Sequence, residues 1–289
     1  MFVNSNRLTD LLPFFHKKLD RLYGERECRN IFLLICDYRF GLSKPQVFSG
    51  DYRLTESELL EINSMVKRLA KNEPIQHILG ETEFYGQSIF VGPEVLIPRP
   101  ETEELVDWIQ KENQDQNQLR ILDVGTGSGC IAIALKSIFK NKAEVVAVDI
   151  SSDALEMAQK SALKNSCEID FKRLDVLNDS LEILGEFDII VSNPPYIPEA
   201  DRTLMNSNVL DFEPEMALFV SNEDPLIFYQ TIAKKALNQL SPQGKLYYEI
   251  HEDFGRQMVE MMELVGYSDI TLLKDLQGKD RMLRASSKP

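Results

Sequence analysis

The sequence is poor in the residues that build metal sites and covalent frameworks. Its four cysteines (Cys28, Cys36, Cys130, Cys167) make no CxxC pair, and its three histidines (His16, His77, His251) share no HxxxH spacing. Neither a structural zinc site nor a disulfide framework is expected, which fits a reducing compartment. Long apolar runs are also missing. None exceeds six residues, the length of 31–36, far short of a membrane span, and no apolar core with a small-residue cleavage site stands at the N-terminus. The expectation is a cytoplasmic protein with no membrane partner. Positive charge is in deficit, with 32 Lys and Arg against 46 Asp and Glu, a formal net charge of −14. A field of that sign repels phosphate backbones and disfavours nucleic acid, unless a local basic patch overrides it.

What is present is enough apolar residue, 43% of 289 positions, to pack real cores, in a chain longer than one ordinary domain. Over residues 1–72, Leu8, Leu11, Leu12, Phe15, Leu19 and Leu22 recur at helical spacing before a stop at Gly24. A second helix is predicted over 25–38. A third follows Thr55, where Thr55-Glu56-Ser57-Glu58 fits a capping box, and runs to about residue 71 before Pro74. These make a helical bundle. Residues 73–98 read as a hairpin linker, with short strands at 78–80 and 84–92. Pro98-Arg99-Pro100-Glu101-Thr102-Glu103 then opens an acid-rich helix that fades into a polar loop at 112–118.

From residue 119 strand and helix alternate. Strands are predicted at 120–124, 144–149, 170–174, 187–192 and 245–250, and helices at 130–139, 153–165 and 225–240. Continuous apolar strands such as Val145-Val146-Ala147-Val148 are those of a parallel sheet covered on both faces. Two last strands, 270–274 and 281–285, suggest an antiparallel hairpin. The fold class is α/β, with domains at 1–72 (helical), 73–98 (hairpin linker) and 99–289.

The first of these strands ends in Asp123-Val124-Gly125-Thr126-Gly127-Ser128-Gly129, and a helix follows at once. Glycines let the backbone turn sharply and come close to a ligand. The next strand ends in Asp149, 22 residues after Gly127 (149 − 127), where an acid accepts both hydroxyls of an adenosine ribose. A dinucleotide asks for GxGxxG, whereas here the third glycine falls one position early. Asp123 beside the turn suits a cofactor carrying an amine and a sulfonium and opposes a pyrophosphate. S-adenosylmethionine is the better guess, against a turn serving strand-to-helix packing alone. At the third strand end, Asp175 either accepts from an adenine amino group or holds a turn, and Val176 packs on the ring.

The fourth strand ends in Asn193-Pro194-Pro195-Tyr196. Prolines have no N–H, so this backbone presents acceptors. The Asn193 oxygen and the Pro194 carbonyl can take the two N–H bonds of a planar NH₂, with Tyr196 as a flat wall and the Asn193 amide nitrogen tied to backbone. A strand-ending turn is the bland alternative.

Taken together, the Pro98–Glu103 hexapeptide, the Asp123–Gly129 turn, Asn193-Pro194-Pro195-Tyr196-Ile197-Pro198 and Phe212-Glu213-Pro214 resemble the peptide chain release factor glutamine methyltransferases, the HemK/PrmC type. The likeness spans nearly the whole chain. It implies a Rossmann-like class I methyltransferase sheet of seven strands, the last antiparallel, behind a helical substrate-docking domain. It implies methylation of the side-chain amide of the glutamine in the Gly-Gly-Gln loop of bacterial class 1 release factors, with S-adenosylhomocysteine as by-product. Carried over by motif, Gly125 to Gly129, Asp149 and Val176 contact S-adenosylmethionine, and Asn193 to Tyr196 hold the glutamine, Asn193 serving the cofactor too. Arg99 to Thr102 and Phe84 close over the cofactor or anchor the linker, and Phe212 to Pro214 shape the substrate cleft or form a simple loop. No metal, no stable nucleic-acid partner and a monomeric chain are expected. The rivals are an adenine- or guanine-directed nucleic-acid methyltransferase, which −14 charges and the lack of a basic, aromatic extension oppose, and a non-catalytic cofactor-sensing module.

Overall fold

The leucines and phenylalanines that recur near the N-terminus bury one face of each of several short helices against the others. The computed structural model describes residues 5–287 and divides into two units, residues up to 80 with 206–212, and 81–205 with 213 onward. The first unit contains α1 (Leu12–Tyr23), α2 (Glu25–Phe40), α3 (Lys44–Phe48), α4 (Glu56–Leu69) and α5 (Ile75–Leu79). Phe15, Leu19, Phe32, Ile35 and Leu69 fill its core, with the Phe15 and Phe32 rings edge to face at 5.0 Å. At α4 the Glu58 N–H donates to Thr55 Oγ1 at 3.2 Å while the Thr55 N–H donates to the Glu58 carboxylate at 2.6 Å, the reciprocal cap that the sequence spells.

One expectation fails in this unit. Ile78 and Leu79 are not a strand; they lie in α5, buried in the bundle core, and Gly80 ends the helix in the left-handed region at φ +81°. Two β-compatible residues before a glycine carry no local preference strong enough to resist a buried helical turn. The helical unit therefore runs on to residue 80.

The second unit opens with β1 (Glu81–Phe84) and β2 (Gln87–Phe90), an antiparallel hairpin turned by Tyr85 and Gly86, both at positive φ. Then come α6 (Pro100–Asn113), β3 (Leu119–Val124), α7 (Cys130–Phe139), β4 (Ala143–Asp149), α8 (Ser152–Lys164), β5 (Asp170–Arg173), β6 (Phe187–Ser192) and β7 (Ile197–Pro198). A short α9 (Ser207–Leu210) belongs to the helical unit, where Asn72 Nδ2 donates to Ser207 Oγ at 2.9 Å. The chain ends with β8 (Phe219–Val220), α10 (Ile227–Ala236), β9 (Leu240–Glu249), α11 (Gly255–Val265), β10 (Tyr267–Lys274) and β11 (Asp280–Ser287).

Seven strands form one sheet in the order β10-β11-β9-β6-β3-β4-β5, with β11 antiparallel to both neighbours. The seven-stranded α/β sheet with its last strand reversed is the expected architecture. Alternate strand residues serve two cores. Ile121, Ala147, Ile189 and Tyr247 pack with α6, α7, α8 and the hairpin, while Leu122, Val146, Ile190 and Tyr248 pack with α10 and α11. Among the described residues no helix is long and apolar enough to cross a membrane. From β3 the chain runs outward through β4 and β5, then returns to the other side of β3 for β6. The strand ends on either side of that reversal open a crevice.

Removing the α4 cap tests the local reading: Thr55→Ala is expected to cost about 1 kcal/mol, seen as faster amide hydrogen exchange in the first turn of α4.

Candidate active site

A cavity of about 360 Å³ lies at the carboxyl ends of β3, β4, β5 and β6, walled by residues of the α/β unit. Its floor is the turn after β3. The N–H groups of Gly125 and Thr126 both donate to the Val148 carbonyl, at 2.9 and 3.0 Å, which ties the turn to the neighbouring strand. Gly127 has φ +54° with open space where a Cβ would stand, so glycine serves the backbone angle there. Its N–H donates to Asp149 Oδ2 at 2.9 Å, and the Ser151 N–H donates to Oδ1 at 2.9 Å. The carboxylate is thus oriented with lone pairs to spare, since its two oxygens offer about four acceptor sites. Burial raises the Asp149 pKa and those N–H donors pull it back.

Thr126, Ser128, Asp149, Asp175 and Val176 reach the cavity wall with Gly125 and Gly127, but Gly129 does not. A Cβ on Gly129 would lie 2.9 Å from the Ala158 Cβ, so this glycine lets α7 meet α8 closely. Asp175 holds a turn, one of the two roles considered for it, at the edge of the cavity. Its carboxylate accepts from the Leu177 N–H at 2.9 Å and Asn178 Nδ2 at 2.7 Å, the second contact leading those that lower its pKa. Asp123 sits behind the turn, 0% exposed, accepting from the Thr126 hydroxyl at 2.6 Å, and burial pushes it up to about 7. Its charge reaches the cavity as a field and not as a contact. A glycine cradle, an oriented acid on β4 and apolar walls from Val176, Ile150 and Phe228 together fit an adenosine-bearing cation.

Asn193, Pro194 and Pro195 line the same cavity, continuing from β6. The Asn193 amide nitrogen, expected from the sequence to be tied to backbone, meets a side chain instead. Nδ2 donates to Thr102 Oγ1 at 3.4 Å, and the Thr102 hydroxyl donates to Glu249 Oε2 at 2.6 Å. Tyr196 turns off the wall: its hydroxyl donates to Glu249 Oε1 at 3.2 Å, and its ring stands edge-on to His251 at 5.9 Å. Burial, then the Glu249 charge, raise the Tyr196 pKa and keep the phenol protonated. Thr102 and Glu249 are 2% and 1% exposed. Glu249 entered no motif, although an acid ending the apolar run Leu246-Tyr247-Tyr248 was a visible signal.

The Pro98–Glu103 and Phe212–Pro214 motifs meet each other. Arg99 Nη2 donates to Glu213 Oε1 at 2.5 Å, and the Ile97 N–H donates to Glu213 Oε2 at 3.0 Å, the Glu213 side chain being buried. Arg99, Thr102 and Pro214 border the cavity. Phe84 does not close over it; at 1% exposed it is core, packed through the hairpin. In the helical unit the fold gathers His16, Asp20 and Cys28 within 4.8 Å, which no sequence spacing disclosed. His16 Nδ1 and Asp20 Oδ1 share a hydrogen bond at 2.8 Å, and burial, reinforced by Asp20, pushes the Cys28 thiol up to about 12, so it stays protonated.

The chain is similar to known proteins in sequence and in fold. A family profile described as "Methyltransferase small domain" matches residues 101–210, and one described as "PrmC N-terminal domain" matches 12–80. A release factor glutamine methyltransferase of Bacteroides thetaiotaomicron is 45% identical over 97% of this chain and 99% of its own. Its counterpart from Flavobacterium psychrophilum is 42% identical, over 94% and 96%. Among solved structures, a methyltransferase from Pyrococcus furiosus covers 80% of this chain and 98% of its own (17% identity, TM-score 0.51). The 16S rRNA N2 G1207 methyltransferase of Thermus thermophilus, solved with AdoMet and guanosine, covers 72% and 50% (19% identity, TM-score 0.54). At these identities the two structures speak for the fold.

Gly129→Ala is expected to destabilise the protein by about 1–3 kcal/mol, since neither the φ of +82° nor the Ala158 contact admits a methyl; thermal unfolding reads it. Asp123 gives a pH signature. Folding raises its pKa from 3.8 to about 7, so its contribution is fully present below pH 3.8 and fades as pH rises through 7. Asp123→Asn, which keeps the Thr126 acceptor, is expected to gain stability relative to the parent from pH 4 to 8, checked by urea midpoints at each pH.

Proposed function

The chain belongs to the release factor glutamine methyltransferase family, and from that premise we propose how its residues move a methyl group from S-adenosylmethionine to the side-chain amide nitrogen of the glutamine in the Gly-Gly-Gln loop of a release factor. The supporting observation is that one cavity holds both the glycine turn with Asp149 and the Asn193-Pro194-Pro195 segment. S-adenosylmethionine, when bound, supplies a methyl on positively charged sulfur and is released as S-adenosylhomocysteine.

In this reading the Gly125–Ser128 turn admits the cofactor close to backbone, Asp149 accepts its ribose hydroxyls, and Val176 packs on the adenine, with Asp175 at the ring edge. Asp123 contributes negative potential from behind the turn. The glutamine amide is a poor nucleophile because its lone pair is delocalised, a resonance reflected in a rotation barrier of about 18–20 kcal/mol. Asn193 Oδ1 and the Pro194 carbonyl accept its two N–H bonds, drawing electron density to nitrogen and fixing the direction of its lone pair. Orientation and preorganised dipoles then supply most of the catalysis. The N–C bond to the methyl forms as the S–C bond breaks, and the methylated nitrogen, now strongly acidic, gives up one N–H proton to water; among the described residues no histidine lines the cavity to take it. The helical unit is assigned to docking the release factor, in the cytoplasm, with the enzyme acting as a single chain.

Asn193→Ala is expected to lower turnover by roughly 10²–10³ while cofactor binding, read by calorimetry, survives; equal turnover in variant and parent rejects the role. A second assay fixes the substrate: labelled S-adenosylmethionine is offered with a release factor, its Gly-Gly-Asn variant, or duplex DNA. Label on the unaltered release factor alone supports the reading. Label on DNA favours the nucleic-acid alternative, which shares the need for acceptors around a planar nitrogen.

A further inference from the structure

An asparagine amide is nearly symmetric in shape, and either end can face a substrate. Its nitrogen end would present donors to a nitrogen that also carries donors, so the reading above works only if Asn193 is held oxygen-first. We propose that Glu249, acting through Thr102 and Tyr196, is the positioning residue that holds it so, a role that rests on the function proposed above.

Counting hydrogens fixes the direction of each bond. An ionised carboxylate has lone pairs and no donor. Both hydroxyls that reach Glu249 must therefore donate to it, Thr102 to Oε2 at 2.6 Å and Tyr196 to Oε1 at 3.2 Å. A threonine hydroxyl has a single hydrogen, and here it is already committed. What Thr102 offers Asn193 is a lone pair, and only the NH₂ end of the amide can meet it, as it does at 3.4 Å. Flipping Asn193 would set oxygen against oxygen. The carboxylate thus transmits one polarity through one hydroxyl to the first residue of the tetrapeptide, and through its other oxygen it pins the last. With Thr102 and Glu249 almost wholly buried, bulk water does not compete for these groups.

The fold brings these groups together from distant segments. β6 pairs in parallel with β9, Ser192 opposite Tyr248, so Asn193 and Glu249 leave adjacent strand ends side by side. Thr102 arrives from the first turn of α6, just after Arg99 is clamped by Glu213. Burial raises the Glu249 pKa, helped by the Glu101 charge, while the Thr102 hydroxyl, the Arg281 charge and the Tyr196 hydroxyl pull it back.

The test compares the parent, Thr102→Val, Thr102→Ser, Asn193→Ala and the Thr102→Val/Asn193→Ala double variant, all as full-length chains. Methylglutamine formation on the release factor is measured under single turnover and mapped by mass spectrometry, with cofactor affinity measured in parallel. Thr102→Val keeps the shape and removes the hydroxyl; it is expected to slow transfer about tenfold, with cofactor affinity within about twofold of the parent. Thr102→Ser, which restores the hydroxyl, is expected to recover most of that loss. The double variant should fall no further than Asn193→Ala, because Thr102 acts through Asn193. Glu249→Gln gives a second line: one oxygen and one NH₂ cannot accept from both hydroxyls, so transfer should slow by about tenfold or more. Parent-like transfer in Thr102→Val, or losses that multiply in the double variant, overturn the proposal. A parent that methylates no glutamine fails at the earlier step and takes the proposal with it.

Discussion

Parallel pairing of β3 with both β4 and β6 sets several strand ends on one side of a single sheet, and the site depends on that constraint. Ladder register fixes where each strand stops relative to its neighbour, so Gly125, Asp149 and Asn193 emerge within reach of one another without any long-range contact between their own side chains. The turn after β3 adds a second tie, because two of its N–H groups share the Val148 carbonyl. A carboxylate at the end of β4 then finds the Gly127 N–H waiting. Rigid backbone does the aiming and side chains supply the polarity.

How much of this was legible in the sequence follows from how local each feature is. The glycine turn, Asp149 and the Asn-Pro-Pro-Tyr segment are strand-end features, and a reading that finds the strands finds them. Cys130–Phe139 came out at its observed bounds because apolar residues run almost unbroken after a glycine. Features defined by tertiary neighbours were not legible. Gly129 belongs to the motif by spacing, yet its space is limited by Ala158 on another helix. Phe84 was expected from the resemblance to close over the cofactor or anchor the linker, and the hairpin packs it into the core. Thr102 lay inside a recognised hexapeptide expected to close over the cofactor or anchor the linker, and Glu249 lay in no motif. Their meaning is the hydrogen bond between them, across 147 residues of sequence.

Charge is distributed with the same economy. The chain is strongly acidic, but the acids that matter most at the site are the ones removed from water: Asp123, Glu213 and Glu249. Each is answered differently, Asp123 by a hydroxyl, Glu213 by a guanidinium and a backbone N–H, and Glu249 by two hydroxyls. A buried acid without a full countercharge biases its surroundings toward cations, so these groups favour a positively charged occupant without touching it. The Arg99–Glu213 pair is the exception, neutralised where two sequence-distant segments must be held together.

The proline pair has one consequence that concerns the end of the reaction. A recess that offers only lone pairs discriminates by the number of hydrogens its guest still carries. A primary amide satisfies both acceptors; once alkylated, the same nitrogen retains a single N–H, and one acceptor must go without. In the proposed scheme the guest is therefore held most tightly before transfer and less tightly afterwards. Departure of the secondary amide is eased, and a second alkylation at the same nitrogen is discouraged, by the stoichiometry of protons and without any moving gate.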